Sequence, residues 1–252
     1  MAYRTTSQWF ANLDDIKRDA LKALENVAFY PQICACDIPG FVGPGRLIIL
    51  IARNRLESFI SSRSEWCISR QRVWGVPIPS LHHTPSDVAY LDSRILDHIL
   101  TVLDKTGVAH WWEGPVKEFL PLHLLEIDAD VSNWRKGTDT MDVWFDSGSS
   151  WSLLPNRDNA QPKADVCLEG SDQHRGWFQS QLLTAVATAE GDNKAIAPYG
   201  TLLTHGMVLD ANGKKMSKSL GNVMSPMAIV KGGTVGDPFF LAFVPVVMAV
   251  LG

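Results

Sequence analysis

The chain has 252 residues, 46% hydrophobic and 20% charged, with a formal net charge of -4. That is the composition of folded globular domains, with apolar material for one or two cores, and it excludes a chain disordered throughout. The net charge decides nothing about nucleic acid, because an electrostatic footprint is a local cluster and not a whole-chain sum.

Met1 to Trp9 shows neither an apolar h-region nor an Arg-rich amphipathic pattern, so no targeting peptide is read there. Leu13, Ile16, Ala20, Leu24 and Val27 recur at helical spacing, with Asn12 or Asp14 as cap, and the stretch stops before Pro31. Cys34, Cys36, Cys67 and Cys167 lack the C-x2-C spacing of a zinc ribbon or redox dithiol, and the expectation is no metal. Arg46, Arg53, Arg55, Arg63, Arg70 and Arg72 cluster against Glu57 and Glu65, with Trp66 and Trp74 interleaved. Such a patch suits RNA phosphate contacts and stacking; the plain alternative is a solvated basic face. Cys67 to Pro79 mixes β-branched, aromatic and proline residues, a pattern of strands and turns. Ser93 to Lys105 reads as a second helix with Ile95, Leu96, Ile99, Leu100 and Leu103 inward and Gly107 as C-cap. His82, His83 and His123 have no spacing that implies catalysis. The polar stretch Arg135 to Asp139, containing Gly137, marks a boundary between two parts.

Beyond it, Asp165 to Leu168 is a strand candidate, and a helical pattern from His174 to Glu190 buries Trp177, Phe178, Leu182, Leu183 and Val186. Leu202 and Leu203 begin another strand that continues through Met207, Val208 and Leu209. Strand, helix, strand is a βαβ unit, which predicts an α/β fold with a parallel sheet and ligands at the carboxyl ends of its strands. Asp210 to Gly213 is a turn signal, followed at once by Lys214 to Ser219, a loop rich in ammonium groups that in isolation reads as a solvated turn. Pro238 to Gly252 is apolar but shorter than the ~20 residues of a membrane span, and Pro245 interrupts it; no membrane association is expected.

Lys215 to Ser219, KMSKS, resembles the signature of class I aminoacyl-tRNA synthetases. Glu169 to Phe178 (EGSDQHRGWF), Trp66 to Arg72 (WCISRQR) and Asp142 to Ser149 (DVWFDSGS) resemble the isoleucyl-tRNA synthetases in particular, of bacterial or organellar type. The chain is similar to that family over about residues 3–32 and 54–232. The resemblance implies the second half of a Rossmann-like nucleotide-binding domain over 138–232, preceded by an α+β connective region over 1–137. It further implies activation of L-isoleucine by ATP with Mg2+, and transfer to tRNA(Ile). Lys215 and Lys218 are expected to hold the triphosphate, and Glu169, Gly170, Asp172 and Gln173 to bind the adenylate. Trp144 and Trp177 are expected to line the isoleucine pocket; the plain reading of a tryptophan in an apolar stripe is core. For Asp172 the plain alternative is a helix cap.

No His-x-Gly-His occurs, the motif that contacts ATP in the first half of the family's split fold, and Tyr3 to Phe10 resembles the return from the editing insertion. Cys34 to Ala52 and Pro238 to Gly252 depart from the family pattern and read as translated intron or a misassembled gene. That implies a eukaryotic source and, with bacterial-type motifs, a mitochondrial protein, the cytoplasm being the alternative. Two other readings stand beside the ligase: a non-catalytic RNA-binding fragment, and a valyl- or leucyl-type synthetase.

Overall fold

The structure is a computed structural model that describes residues 7–30, 47–155, 163–189, 195–206, 210, 214, 216–223, 225 and 227. Strand β1 (Phe10–Asn12) leads into helix α1 (Asp14–Ala23), and a 3-10 turn leads into β2 (Ala28–Tyr30). Helix α2 (Leu47–Ser61) is followed by β3 (Glu65–Cys67) and β4 (Ser69–Arg70). Strands β5 (Leu81–His83) and β6 (Val88–Tyr90) precede α3 (Ser93–Thr106), and three short helices, α4 (His110–Glu113), α5 (Val116–Phe119) and α6 (Leu122–Leu125), precede β7 (Trp134–Lys136). Then come β8 (Thr140–Met141), α7 (Val143–Gly148), β9 (Ala164–Gly170), α8 (Trp177–Thr188) and β10 (Tyr199–His205).

Helix α1 begins where Asn12 Oδ1 accepts the Asp14 backbone N–H at 2.9 Å, so Asn12 and not Asp14 closes the turn. Asp14 and Asp15 in its first turn and Lys22 in its last both suit the helix dipole. Leu13, Ala20, Leu24 and Val27 are buried, as their spacing predicts. They join Phe29, Leu56, Ile60, Trp66, Phe178, Leu182, Tyr199 and Leu202 in one core. Strands β2, β10 and β9 lie in that order in one sheet, and β10 runs parallel to β2 with Leu202 opposite Phe29. The predicted strand-helix-strand from Asp165 is present, but its helix starts later: Ser171–Arg175 form a 3-10 turn, and Gly176 (φ -117, ψ -113) breaks the path before Trp177.

A second core lies between the sheet β6-β5-β7 and α3–α6, with Leu81, Ile95, Ile99, Trp111, Phe119 and Trp134 buried. Asp92 caps α3 by accepting the Ile95 N–H at 2.9 Å, and Gly107, at φ +86, ends it by donating to Leu103 O. Leu96 and Leu100 are exposed, so the buried stripe of α3 is narrower than predicted and runs through Ile95 and Ile99. Arg135 and Lys136, expected in a linker, belong to β7, paired with His82 and Leu81. Among the described residues no helix is long and apolar enough to cross a membrane. By backbone contacts the chain divides into Met1–Cys167 with Asp172–Leu203, and Leu168–Ser171 with Thr204–Gly252.

The histidines of β5 are structural. His82 Nε2 lies 3.1 Å from Ser80 Oγ, and His83 Nε2 lies 3.0 Å from Asp128 Oδ2. His83, the Asp130 backbone N–H and the Asn133 amide together lower the pKa of Asp128 to about 2. A carboxylate with a depressed folded-state pKa adds stability that is complete above its unfolded value of about 3.9 and lost as pH falls toward the folded value. The acid limb of stability between about pH 4 and pH 2 should therefore be flatter in Asp128→Asn than in the parent, read as thermal midpoints across that range. Parallel limbs would contradict this.

Candidate functional site

Asp142 is 5% exposed and sits at the start of α7. Its Oδ2 accepts the Trp66 indole N–H at 3.1 Å and the Arg70 guanidinium at 2.8 Å, while Oδ1 accepts the Trp144 backbone N–H at 3.3 Å. One carboxylate thus joins β3, β4 and α7. Helix α7 is held equally closely to α8. A Cβ on Gly148 would lie 2.9 Å from Ser180 Cβ, so only glycine fits there. Thr184 Oγ1 donates to Gly148 O at 2.7 Å and accepts the Trp151 indole N–H at 3.0 Å. The Trp177 indole donates back to Ser147 O at 3.0 Å.

These contacts bring four of the expected site residues together. Trp144 is 46% exposed, and its ring lies where a Cβ on Gly176 would meet it at 3.0 Å. Gln173 Oε1 accepts the Trp177 backbone N–H at 3.0 Å, and its Nε2 donates to Asp172 at 3.2 Å. The N-cap position of α8 is Gly176, and the first helical N–H is met by Gln173 and not by Asp172, whose side chain stays exposed. Trp177 is half-buried and packs on the first core. Its neighbour Phe178 is fully buried, edge-on to Tyr199 at 6.2 Å, while Tyr199 Oη donates to Phe178 O. Asp146, on α7, has its pKa raised by burial and then by the charge of Asp142.

Glu169 and Gly170 belong to the second compact unit, which also contains Lys218. Lys215 lies outside the described residues. Asp210 ties the base of the loop: its backbone and carboxylate exchange hydrogen bonds with both backbone groups of Lys214, each at 2.8 Å. Asp210 Oδ2 also accepts the Asn222 amide at 2.8 Å, and Asn222 Oδ1 accepts the Ser217 N–H at 2.9 Å. Between these ties Ser217–Gly221 turn tightly, with Gly221 at φ +66, where glycine carries little strain. Lys218 is exposed in that turn, and among the described residues its ammonium has no partner, as has the exposed carboxylate of Glu169.

The family model for class I tRNA synthetases (I, L, M and V) matches residues 46–245. The chain belongs to the class I tRNA synthetases. The isoleucine–tRNA ligase of Synechococcus sp. (strain CC9311) is 46% identical over 92% of this chain. The chloroplastic/mitochondrial isoleucine–tRNA ligase of Arabidopsis thaliana is 43% identical over the same share. The chain spans about a fifth of the length of these relatives, 21% and 19%. A solved ternary complex of an Agrobacterium radiobacter K84 LeuRS with tRNA and LeuAMS covers 77% of this chain and 26% of its own, at 24% identity and a TM-score of 0.42.

Within this synthetase chain Asp142, Asp210 and Asn222 tie down the segments that carry the motif residues, a part that motif and turn patterns alone do not show. Asp142 preceding a short helix is a legible cap signal; its bonds to Trp66 and Arg70 span more than 70 residues and are not legible. Replacing Asn222 by Ala should free the Ser217 amide and loosen the loop without touching the first core. The expected result is roughly tenfold faster hydrogen exchange at Ser217 and Lys214, as for loss of about one net hydrogen bond, with an unchanged denaturation midpoint. Unchanged exchange at both amides would refute the latch.

Proposed function

We propose that this chain is the KMSKS-bearing part of an isoleucine–tRNA ligase. The observation that carries the reading is its 46% identity over 92% of its length to an isoleucine–tRNA ligase. In the reaction, the carboxylate of L-isoleucine attacks the α-phosphorus of ATP, pyrophosphate leaves, and a terminal ribose hydroxyl of tRNA(Ile) then takes the isoleucyl group with release of AMP. The first step needs little proton transfer. It needs cations where charge builds on the phosphate oxygens.

Lys218, exposed and without a counter-ion among the described residues, suits that task, and Lys215 three residues earlier is assigned with it. Glu169 has an exposed carboxylate, unpaired among the described residues, for the α-ammonium or a ribose hydroxyl, and Gly170 allows close approach of the backbone. Asp172 keeps acceptor capacity, whereas Gln173 spends its carbonyl on the α8 cap and is given an orienting part in the adenylate site. Trp144 and Trp177 form the apolar wall for the isoleucine side chain. Apolar contact separates isoleucine from valine by only ~1–3 kcal/mol, one methylene's worth. Among the described residues no group of three His, Cys, Asp or Glu is placed to hold a metal. Mg2+ would accompany the phosphates of ATP, whose oxygens suit that hard cation. A mitochondrial matrix location accompanies the reading; the Arabidopsis relative's name, chloroplastic/mitochondrial, favours an organelle.

A chimera tests it: the 252-residue chain replaces the matching segment of the Synechococcus ligase, and ATP–pyrophosphate exchange is measured with each amino acid. Isoleucine should stimulate exchange most, and Lys218→Ala should lower the adenylation rate about 10²–10³-fold with a smaller effect on isoleucine KM. Stimulation by valine or leucine above isoleucine would overturn the assignment.

A further inference from the structure

Phe59, near the end of α2, has two guanidinium groups on its ring, Arg55 from its own helix and Arg175 from the turn before α8, each 5.8 Å from the centroid. Both arginines are exposed, and among the described residues neither has a carboxylate partner. Arg63 extends the group, its guanidinium 5.3 Å over the Trp66 ring and bonded to Gln179 Oε1. Its pKa is lowered by burial first; Asp142 opposes this, and the charges of Arg175 and Arg70 add to it, so these cations feel one another. Two of the nearby carboxylates are taken, Glu57 by Arg53 and Asp142 by Arg70, each at 2.8 Å, while Glu65 meets Arg63 only through its backbone carbonyl. Residues 53–72 hold five arginines, two glutamates and no lysine, in a chain whose formal net charge is -4.

Like charges gathered without counter-charge raise the free energy of the isolated protein, and an anion at the same place lowers it. The choice of arginine narrows the anion. A planar guanidinium resting on an aromatic ring is ordered in advance, and its fork of N–H groups matches phosphate oxygens. Several such groups on one face fit a chain of phosphates better than a single one.

We propose that Arg55, Arg175 and Arg63, ordered by Phe59 and Trp66, form a contact surface for the phosphodiester backbone of RNA. The choice of RNA among polyanions rests on the tRNA-ligase reading; the surface itself does not. The contact is to backbone, so it strengthens binding without reading sequence.

The experiment uses the 252-residue chain, fluorescently labelled tRNA(Ile), an unrelated structured RNA of equal length, and a salt series read by anisotropy. Arg55→Gln and Arg175→Gln should each weaken binding of both RNAs alike and reduce the slope of log Kd against log salt by about 1, and the pair by about 2. Arg94→Gln, on α3, should leave the slope unchanged. Arg55→Lys and Arg175→Lys should keep most of the slope while weakening binding, and they carry the test should a Gln variant fail to fold by circular dichroism. An unchanged slope and Kd in folded Gln variants overturns the proposal, and so does a parent chain that binds neither RNA. Loss of binding to phosphatidylserine vesicles with RNA binding intact would also overturn it, assigning the surface to a membrane. If both RNAs lose affinity equally but the chimera prefers another amino acid, the surface stands and the isoleucine assignment falls.

Discussion

The carboxylate of Asp142 is the interaction on which the arrangement of the site depends. It is nearly enclosed, and a buried carboxylate is costly unless its oxygens are satisfied. Trp66, Arg70 and the Trp144 amide satisfy them, and they come from three segments. Each partner is constrained in turn. The Trp66 ring, pinned through its indole N–H, packs at 5.6 Å against Phe145 of α7, so apolar packing and the charge-assisted bonds hold the same helix. Without that carboxylate, Arg70 Nη2 and the Trp66 N–H lose their acceptor, and α7 loses its cap.

From α7 the constraint passes to α8 through small residues. Gly148 meets Ser180 at a separation no other residue permits, and Thr184 and Trp177 bond to the last carbonyls of α7. That closeness fixes where Trp144 and Trp177 stand on either side of Gly176. The second unit uses a different device for its loop, a chain of polar bonds from Lys214 through Asp210 and Asn222 to Ser217. Both devices are local and rigid.

Periodicity made α1, α3 and the β9–α8–β10 unit legible, because one face of each is buried and burial imposes the period. It overstated α3, where Leu96 and Leu100 share the helical spacing but face water, since the partner elements cover only the Ile95–Ile99 side. The start of α8 was misplaced for a related reason. A 3-10 turn and a helix present similar apolar spacing, and Gly176 separates them only through its backbone angles. The motif residues were legible as a set through family resemblance. Their individual contacts were not: that Gln173 meets the first N–H of α8 while Asp172 stays exposed is decided by a helix boundary four to five residues away. The side-chain bonds of Asp142, Asp210 and Asn222 are not legible, because their partners are distant or lie across a loop and no spacing rule records them. The arginines of residues 53–72 were visible as a cluster, whereas the convergence of Arg55 and Arg175 on Phe59 required the fold.

Hydrogen exchange in Asp142→Ala tests the central claim most directly. Losing a hydrogen bond to a charged group costs about 1.5–3 kcal/mol, so exchange should quicken roughly 10- to 100-fold at the Phe145, Asp146 and Ser149 amides of α7 and at the Trp66 indole. The Trp177 indole should quicken with them, while the Ile99 and Leu103 amides of α3, in the second core, keep their rates. If α7 and both indoles retain parental protection, Asp142 does not hold the site together.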